Sequence, residues 1–151
     1  MAEREIAYSA ESALPPQQPA SAVASVVVLS EPEFANAVRD ALRHITRRDE
    51  LQVNPLVRSK LVTERAGSGA APAARAEVLH QTLLEAVNLL QSSPKQTKLY
   101  RAIYHTYVLP APTQELAAEL LNLPFSTYRR HLKEGIENVV ETLWKGELGL
   151  A

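Results

Sequence analysis

From residue 31 onward, apolar side chains recur at intervals of three and four. Phe34, Val38, Leu42 and Ile45 make a first stripe, with the spacing that lines one face of a helix. Ser30-Glu31-Pro32-Glu33 stands just before it. There the Ser hydroxyl can accept from the amide of Glu33 while the Glu33 side chain reaches back. The pattern predicts one helix running to about Arg48. "NPLVRSKLV", residues 54–62, predicts a second, with Asn54 as cap and Pro55 in the first turn, where a missing N–H is no loss. Val78, Leu79, Leu83, Ala86 and Leu90 mark a third from about Ala74 to Gln91. Ser93-Pro94-Lys95-Gln96 has the form of another capping box and launches a fourth, carrying Leu99, Tyr100, Ile103, Tyr104 and Tyr107. "LPAPT", 109–113, ends that helix, because its two prolines cannot continue it. Thr113 then caps the stretch "QELAAELL". After the break at 122–124, Tyr128, Leu132, Ile136, Val139 and Leu143 form a last stripe with gaps of 4, 4, 3 and 4. That helix is expected to run to about Trp144 or Lys145 and to stop near Gly146. Strand-type alternation is absent after residue 30. The expected class is all-α, a helical bundle of five to six helices containing a helix-turn-helix.

Composition divides this pattern into regions. Residues 1–30 are rich in Ala, Ser, Gln and Pro, with "PPQQP" at 15–19, and read as a mobile tail. The β-prone "SVVVL" at 25–29 is the one segment of it suited to adding a strand to a partner. Residues 31–65 read as an accessory helical pair. "AGSGAAPAA", 66–74, is uncharged and holds two glycines and a proline, the clearest linker in the chain. Residues 75–146 are the expected helix-turn-helix domain, and 147–151 a carboxyl-terminal tail.

Charge and residue usage narrow the function classes. At 151 residues with 46% hydrophobic content, the chain can build a real core. Its net charge of −1 means that any attraction to nucleic acid must come from a local patch. No cysteine is present, which removes disulfides and thiolate metal sites and suits a reducing cytoplasm. No apolar run reaches the roughly 18–20 residues of a membrane span. "AVASVVVL", 22–29, is preceded by "MAEREIAYSAES", with three Glu against one Arg, the wrong sign for a signal peptide's leading region. The expected location is the cytoplasm.

The stretch "LAAELLNLPFSTYRRHL", 116–132, stops one helix and starts another within three residues. A helix-turn-helix needs a small residue where the second helix crosses the first, and Ala118 supplies it, with Leu121 turned to the core. The turn needs a residue tolerant of positive φ, and Asn122 is the best non-glycine choice. Leu123 and Tyr128 fit the apolar slots of the angle between the helices.

"LAAELLNLPFSTYRRHLKEGIENVVETLW" resembles the helix-turn-helix of LuxR-type regulators and of sigma-factor region four, where a phrase of the type IAxxLGISxxTVxRxL precedes a long second helix. The resemblance covers about 30 of the 151 residues and rests on Ala118, the turn at Asn122, and the run Thr127-Tyr128-Arg129-Arg130. Two departures stand out. Asn122 replaces the usual glycine, and Pro124-Phe125 replaces the serine that caps the reading helix, leaving Ser126 as an alternative cap. The resemblance implies a transcriptional regulator that binds double-stranded DNA. Its second helix, about 125–145, would enter the major groove and present Ser126, Thr127, Arg129, Arg130 and Lys133. Arginine reads guanine there, or grips phosphate, and Ser126 and Thr127 would meet phosphates or base edges.

Residues 124–145 hold only four cations against three carboxylates. The alternative is therefore a helical assembly module that reads no DNA and works through 31–65 or the amino-terminal tail as a homo-oligomer or part of a larger complex. An exposed patch of Phe125 and Trp144 would favour it. Arg39, Arg43 and Arg47, spaced by four with Arg48 beside them, are expected to be a solvated, self-paired face, because 31–65 holds seven cations and six carboxylates. Catalysis has little support. His44, His80, His105 and His131 lie in different helices without a metal-type pair and are expected at or near the surface. No glycine-rich phosphate loop or Gly-x-Ser-x-Gly is present, and neither metal nor cofactor is expected. Tyr100, Tyr104 and Tyr107 read as core residues with polar tips.

Overall fold

The Ser30 box closes as the pattern predicts. Ser30 Oγ accepts from the Glu33 amide at 3.3 Å, and Glu33 Oε1 accepts from the Ser30 amide at 2.9 Å. In the computed structural model, which describes residues 28–150, this box starts α1, Glu31–Arg43. The reading of 1–30 as a mobile tail, with its "SVVVL" segment, falls outside those residues except at its last three positions. α1 buries Phe34, Ala37, Val38, Ala41 and Leu42. It ends at Arg43 rather than Arg48, before Ile45-Thr46, two β-branched residues that lose χ1 freedom in a helix. Ile45 still enters the core, and its freed carbonyl is taken by His80 Nδ1 at 2.7 Å. A short helix, α2 (Arg48–Gln52), follows.

The expected second helix is two pieces. Asn54 caps a 3₁₀ turn, Pro55–Arg58, accepting from Leu56 N at 2.8 Å, and its buried amide donates to Ala37 O of α1 at 3.0 Å. Ser59 then restarts the chain. Its hydroxyl donates to Leu56 O at 2.6 Å and accepts from Val62 N at 3.3 Å, opening α3, Lys60–Ala66. A local side-chain cap of this kind competes with helix continuation.

The connection expected at 66–74 is shorter, because α4 spans Pro72–Asn88 and a 3₁₀ turn, Leu89–Ser92, extends it. The loop is pinned by a buried arginine. Arg75 donates to Ala70 O at 3.2 Å, Val57 O at 2.9 Å, Thr63 Oγ1 at 3.0 Å, Gly67 O at 3.4 Å and Ser68 O at 2.9 Å. A buried guanidinium is tolerated when its donors are filled.

α5 covers Thr97–Ile103. The expected box at 93–96 does not form: the amides of Gln96 and Thr97 go to the Ser93 carbonyl instead of its hydroxyl, so 93–96 is a turn. α5 widens into a π turn, Tyr104–Val108. Thr113 caps α6, Gln114–Leu120, accepting from Leu116 N at 3.1 Å. α7 spans Phe125–Glu147, past the expected stop. Gly146 is helical, and the left-handed residue is Gly149 at φ 75°, with Leu150 N on Lys145 O at 2.8 Å and Gly149 N on Gly146 O at 3.1 Å.

The result is an all-α bundle of seven α-helices, with no strand among the described residues. The extra α-helix, α2, comes from the break at Arg43, whereas the break at Ser59 divides the expected second helix into a 3₁₀ turn and α3. One buried cluster runs from Phe34 to Leu143 and draws on α1 through α7. α1 packs antiparallel to α7: Phe34 meets Trp144 edge-on at 5.1 Å, while Arg39 lies beside Glu137. No described helix is long and apolar enough to cross a membrane.

Candidate nucleic-acid interface

The corner at 121–124 is built from backbone bonds around one left-handed residue. Asn122 has φ 58°, the one non-glycine among the described residues with positive φ. Leu123 N reaches Ala118 O, and Asn122 N reaches Glu119 O, both at 3.0 Å. These are the two bonds of the Schellman motif, here with asparagine in the glycine position. Ala117 and Ala118 are buried and let the start of α7 approach closely, while Leu121 and Leu123 are half-buried against the core. Tyr128 fills the angle, fully buried; its hydroxyl donates to Thr106 Oγ1, which itself donates to Ala102 O at 2.6 Å.

α7 begins at Phe125 without a side-chain cap, and Ser126 does not serve as one. The first α7 amide with a backbone acceptor is that of Tyr128, on Pro124 O at 3.0 Å. The amides of 125–127 therefore stay open beside the positive end of a 23-residue helix, an arrangement that favours an anion. The Phe125 ring is 38% exposed and stacks on Tyr128 at 6.0 Å. The Arg129 guanidinium lies 5.7 Å from the Phe125 ring centre, within cation–π range. Ser126, Arg129, Arg130 and Lys133 are exposed, and Thr127 is half-buried.

Arg129, Arg130 and Lys133 line one open groove, and Arg39 of α1 joins them there, with Tyr107, Gln114, Leu132, Ile136 and Glu137. Four cations thus face one carboxylate. Among the described residues, none of the four has a carboxylate within 4.0 Å, and Arg39 donates only to Asn36 Oδ1, at 3.3 Å. Lys145, also on α7, is neutralised by Glu141 at 3.2 Å. Arg43 borders the adjoining cleft with Tyr107 and Tyr128. Burial pushes the Tyr107 hydroxyl above its ordinary value, and the Arg43 and Arg129 charges oppose that shift.

The self-paired face expected at 39–48 is only partly so. Arg43 reaches Asp40 at 3.5 Å, Arg47 reaches Glu50 at 3.8 Å, and Arg48 reaches Glu77 at 3.0 Å. Arg39 is the exception, because α1 lies alongside α7 and brings its guanidinium to the groove. Spacing within α1 could not reveal that. Phe125 and Trp144 do not share a patch. They lie nineteen residues apart on one helix, about 28 Å, and Trp144 is turned onto Phe34. Three exposed apolar residues that do share a groove are Leu109, Leu116 and Leu120, which line it with Pro110, Ala111 and Pro112 on α6 and the loop before it.

His131 is a further correction to the expected surface histidines. It is 6% exposed, and its Nδ1 has no hydrogen-bond partner. Gaps of three and four from Tyr128 and Gly135 place it on the inner stripe, a signal masked by reading only its apolar members. The described residues contain no group of three or more His, Cys, Asp or Glu arranged to hold a metal ion. No family model, curated protein or solved structure matches the chain.

Proposed function

We propose that the chain is a DNA-binding transcriptional regulator that engages the duplex through the amino-terminal half of α7. The observation that carries this reading is the convergence of Arg39, Arg129, Arg130 and Lys133 on one groove with a single carboxylate. Unpaired cations keep their charge available for phosphate, where counterion release drives binding. The open amides of 125–127 and the exposed hydroxyl of Ser126 add donors at the same end. Arg129 and Arg130 sit in the first turns of α7, where a groove-inserted helix meets base edges. Lys133, one turn further on, suits phosphate. This is a binding role without catalysis, and it implies a cytoplasmic protein.

A salt-titrated binding assay on genomic duplex fragments tests the proposal. Alanine at Arg129 or Arg130 is expected to weaken the best site by about 1–3 kcal/mol and random duplex by less. Lys133→Ala is expected to weaken all sequences alike and to lower the salt slope by about one unit. A wild-type chain that binds no duplex at about 50 mM salt would overturn the reading.

A second reading is favoured by a different observation. Leu116 and Leu120 are 43% and 61% exposed on α6, beside Leu109 and two prolines. Contiguous apolar surface of this kind marks an assembly face. Loss of self-association or partner capture on Leu120→Ser, with no duplex binding by the wild type, would establish the assembly role instead.

A further inference from the structure

On the inner side of the corner, away from the Arg129 groove, Lys98 and Arg101 of α5 close a small cavity with Leu121, Leu123 and His131. Lys98 and Arg101 are three residues apart and share one helix face. Among the described residues neither has a carboxylate within 4.0 Å. The third polar group is unusual in a different way: His131 is nearly wholly buried, and among the described residues its Nδ1 is the one buried side-chain polar atom without a partner. An orphaned ring nitrogen costs stability, but Nδ1 is sealed from solvent; what marks a place for an anion is that the two unpaired cations and the His131 residue line one small cavity. The cavity measures about 80 Å³. One water needs roughly 10–15 Å³ on that measure, so the space has room for a small tetrahedral anion.

We propose that Lys98, Arg101 and His131 form a binding site for a single phosphate group, with two cations supplying charge-assisted bonds and the imidazole a third donor. Leucine walls lower the local dielectric, which strengthens each of those bonds. The charge field around His131 agrees with this. Burial lowers its pKa first, the charges of Lys98 and Arg130 lower it further, and Glu134 alone opposes them. An anion between the cations would reverse that balance and let the ring hold its proton. The phosphate can be free or can belong to a nucleic-acid backbone. The free-phosphate case does not depend on the proposed DNA reading.

NMR of the imidazole signals tests the site. Sodium phosphate is titrated into the full chain against sodium chloride at equal ionic strength. Phosphate is expected to move the His131 signal saturably and raise its titration midpoint, while His105 moves less. Lys98→Gln and Arg101→Gln lie at exposed positions and leave the reporter ring in place. Each is expected to weaken phosphate about tenfold, the size of one charge-assisted bond. A short duplex then separates the sources. If it moves the same His131 signal and inorganic phosphate competes, the site takes a backbone phosphate. If His131 moves with inorganic phosphate only, the site takes free phosphate, whether or not the duplex binds elsewhere. A His131 signal that follows ionic strength alone and ignores both phosphate and duplex overturns the proposal. Equal phosphate responses in wild type and both variants would do the same.

Discussion

Carboxyl-terminal to Gly135, α7 is enclosed by its own fold. Val139 and Leu143 are buried, Trp144 meets Phe34, Lys145 is paired with Glu141, and Glu147 accepts from Lys60 N at 3.0 Å and Leu61 N at 2.8 Å. Amino-terminal to Gly135 the same helix buries Tyr128, His131 and Leu132 on one side, yet leaves Arg129, Arg130 and Lys133 without ion pairs to the described residues on the other. Gly135 lies between the two halves, where a Cβ would come within 2.9 Å of Ile103 Cδ1 and 3.2 Å of Leu99 O. Both halves are held by the core, and only the outer surface differs. The whole-chain sum of −1 hides this local excess of unpaired positive charge at one end of a single helix.

The comparison breaks first if the inner faces differ. Leu132 and Leu143 are about equally buried, at 5% and 4%. Alanine at either is expected to destabilise the fold by about 2–5 kcal/mol in denaturant melts. A loss below about 0.5 kcal/mol for Leu132→Ala alone would mean the amino-terminal half is not packed like the other.

The next effect belongs to the enclosed half. Glu147 lies 87 residues from Lys60, yet its two oxygens serve as the first-turn cap of α3, where carboxylates are favoured by the helix dipole. Glu147→Gln is expected to cost about 0.5–2 kcal/mol, the range of a lost cap. Amide exchange is expected to rise at Lys60 and Leu61 before α4 responds. Uniform exchange across the chain would show that the cap is not local.

Glu147 also shows what the sequence could carry. The Ser30 box, the Thr113 cap, the positive φ at Asn122 and most of the last stripe were legible, because each depends on residues within one or two turns. Glu147 read as tail because its partners are far along the chain. The breaks at Arg43 and Ser59 depend on β-branching and a Ser hydroxyl inside otherwise periodic runs. Of the candidate site, the cations of α7 were legible. Arg39 and the Lys98–Arg101–His131 group were not, since they are joined by packing between helices. The exposed leucines of α6 were hidden by the same apolar spacing that marks a core.

A smaller effect separates the halves by pH. His131 has a folded pKa below its ordinary value, so the unfolded chain binds its proton first as pH falls. Stability from this group is full above about pH 6.5 and is lost progressively as pH falls through the unfolded value toward the folded one. His105 shifts the same way, by burial first and then by Arg101. His131→Phe is therefore expected to flatten, without abolishing, the fall in Tm between about pH 7 and pH 5. An unchanged slope would show that the ring charges as easily when folded as when unfolded. Saturating phosphate at the proposed site is expected to flatten the wild-type slope in the same direction.

The smallest expected change is in stability at the outer cations, and it sharpens the comparison most. Arg130 and Lys133 are exposed and make no ion pair among the described residues, so alanine at either is expected to shift stability by no more than about 0.5 kcal/mol. Their mutual repulsion, and that with Arg39, is relieved by either change, so a slight gain is the expected sign at low salt, fading as ions screen the groove. Arg129→Ala loses its contact with the Phe125 ring, worth about 0.5–1 kcal/mol at an exposed site, and is expected to fall slightly below wild type. Lys145→Ala, on the enclosed half, breaks a pair with Glu141 and is expected to cost a few tenths of a kcal/mol. Thermal melts of the four variants at low and high salt check the ordering. If Arg130→Ala and Lys133→Ala are the costliest of the four, those side chains are already engaged within the fold, and the groove is not the open cationic surface that the DNA reading requires.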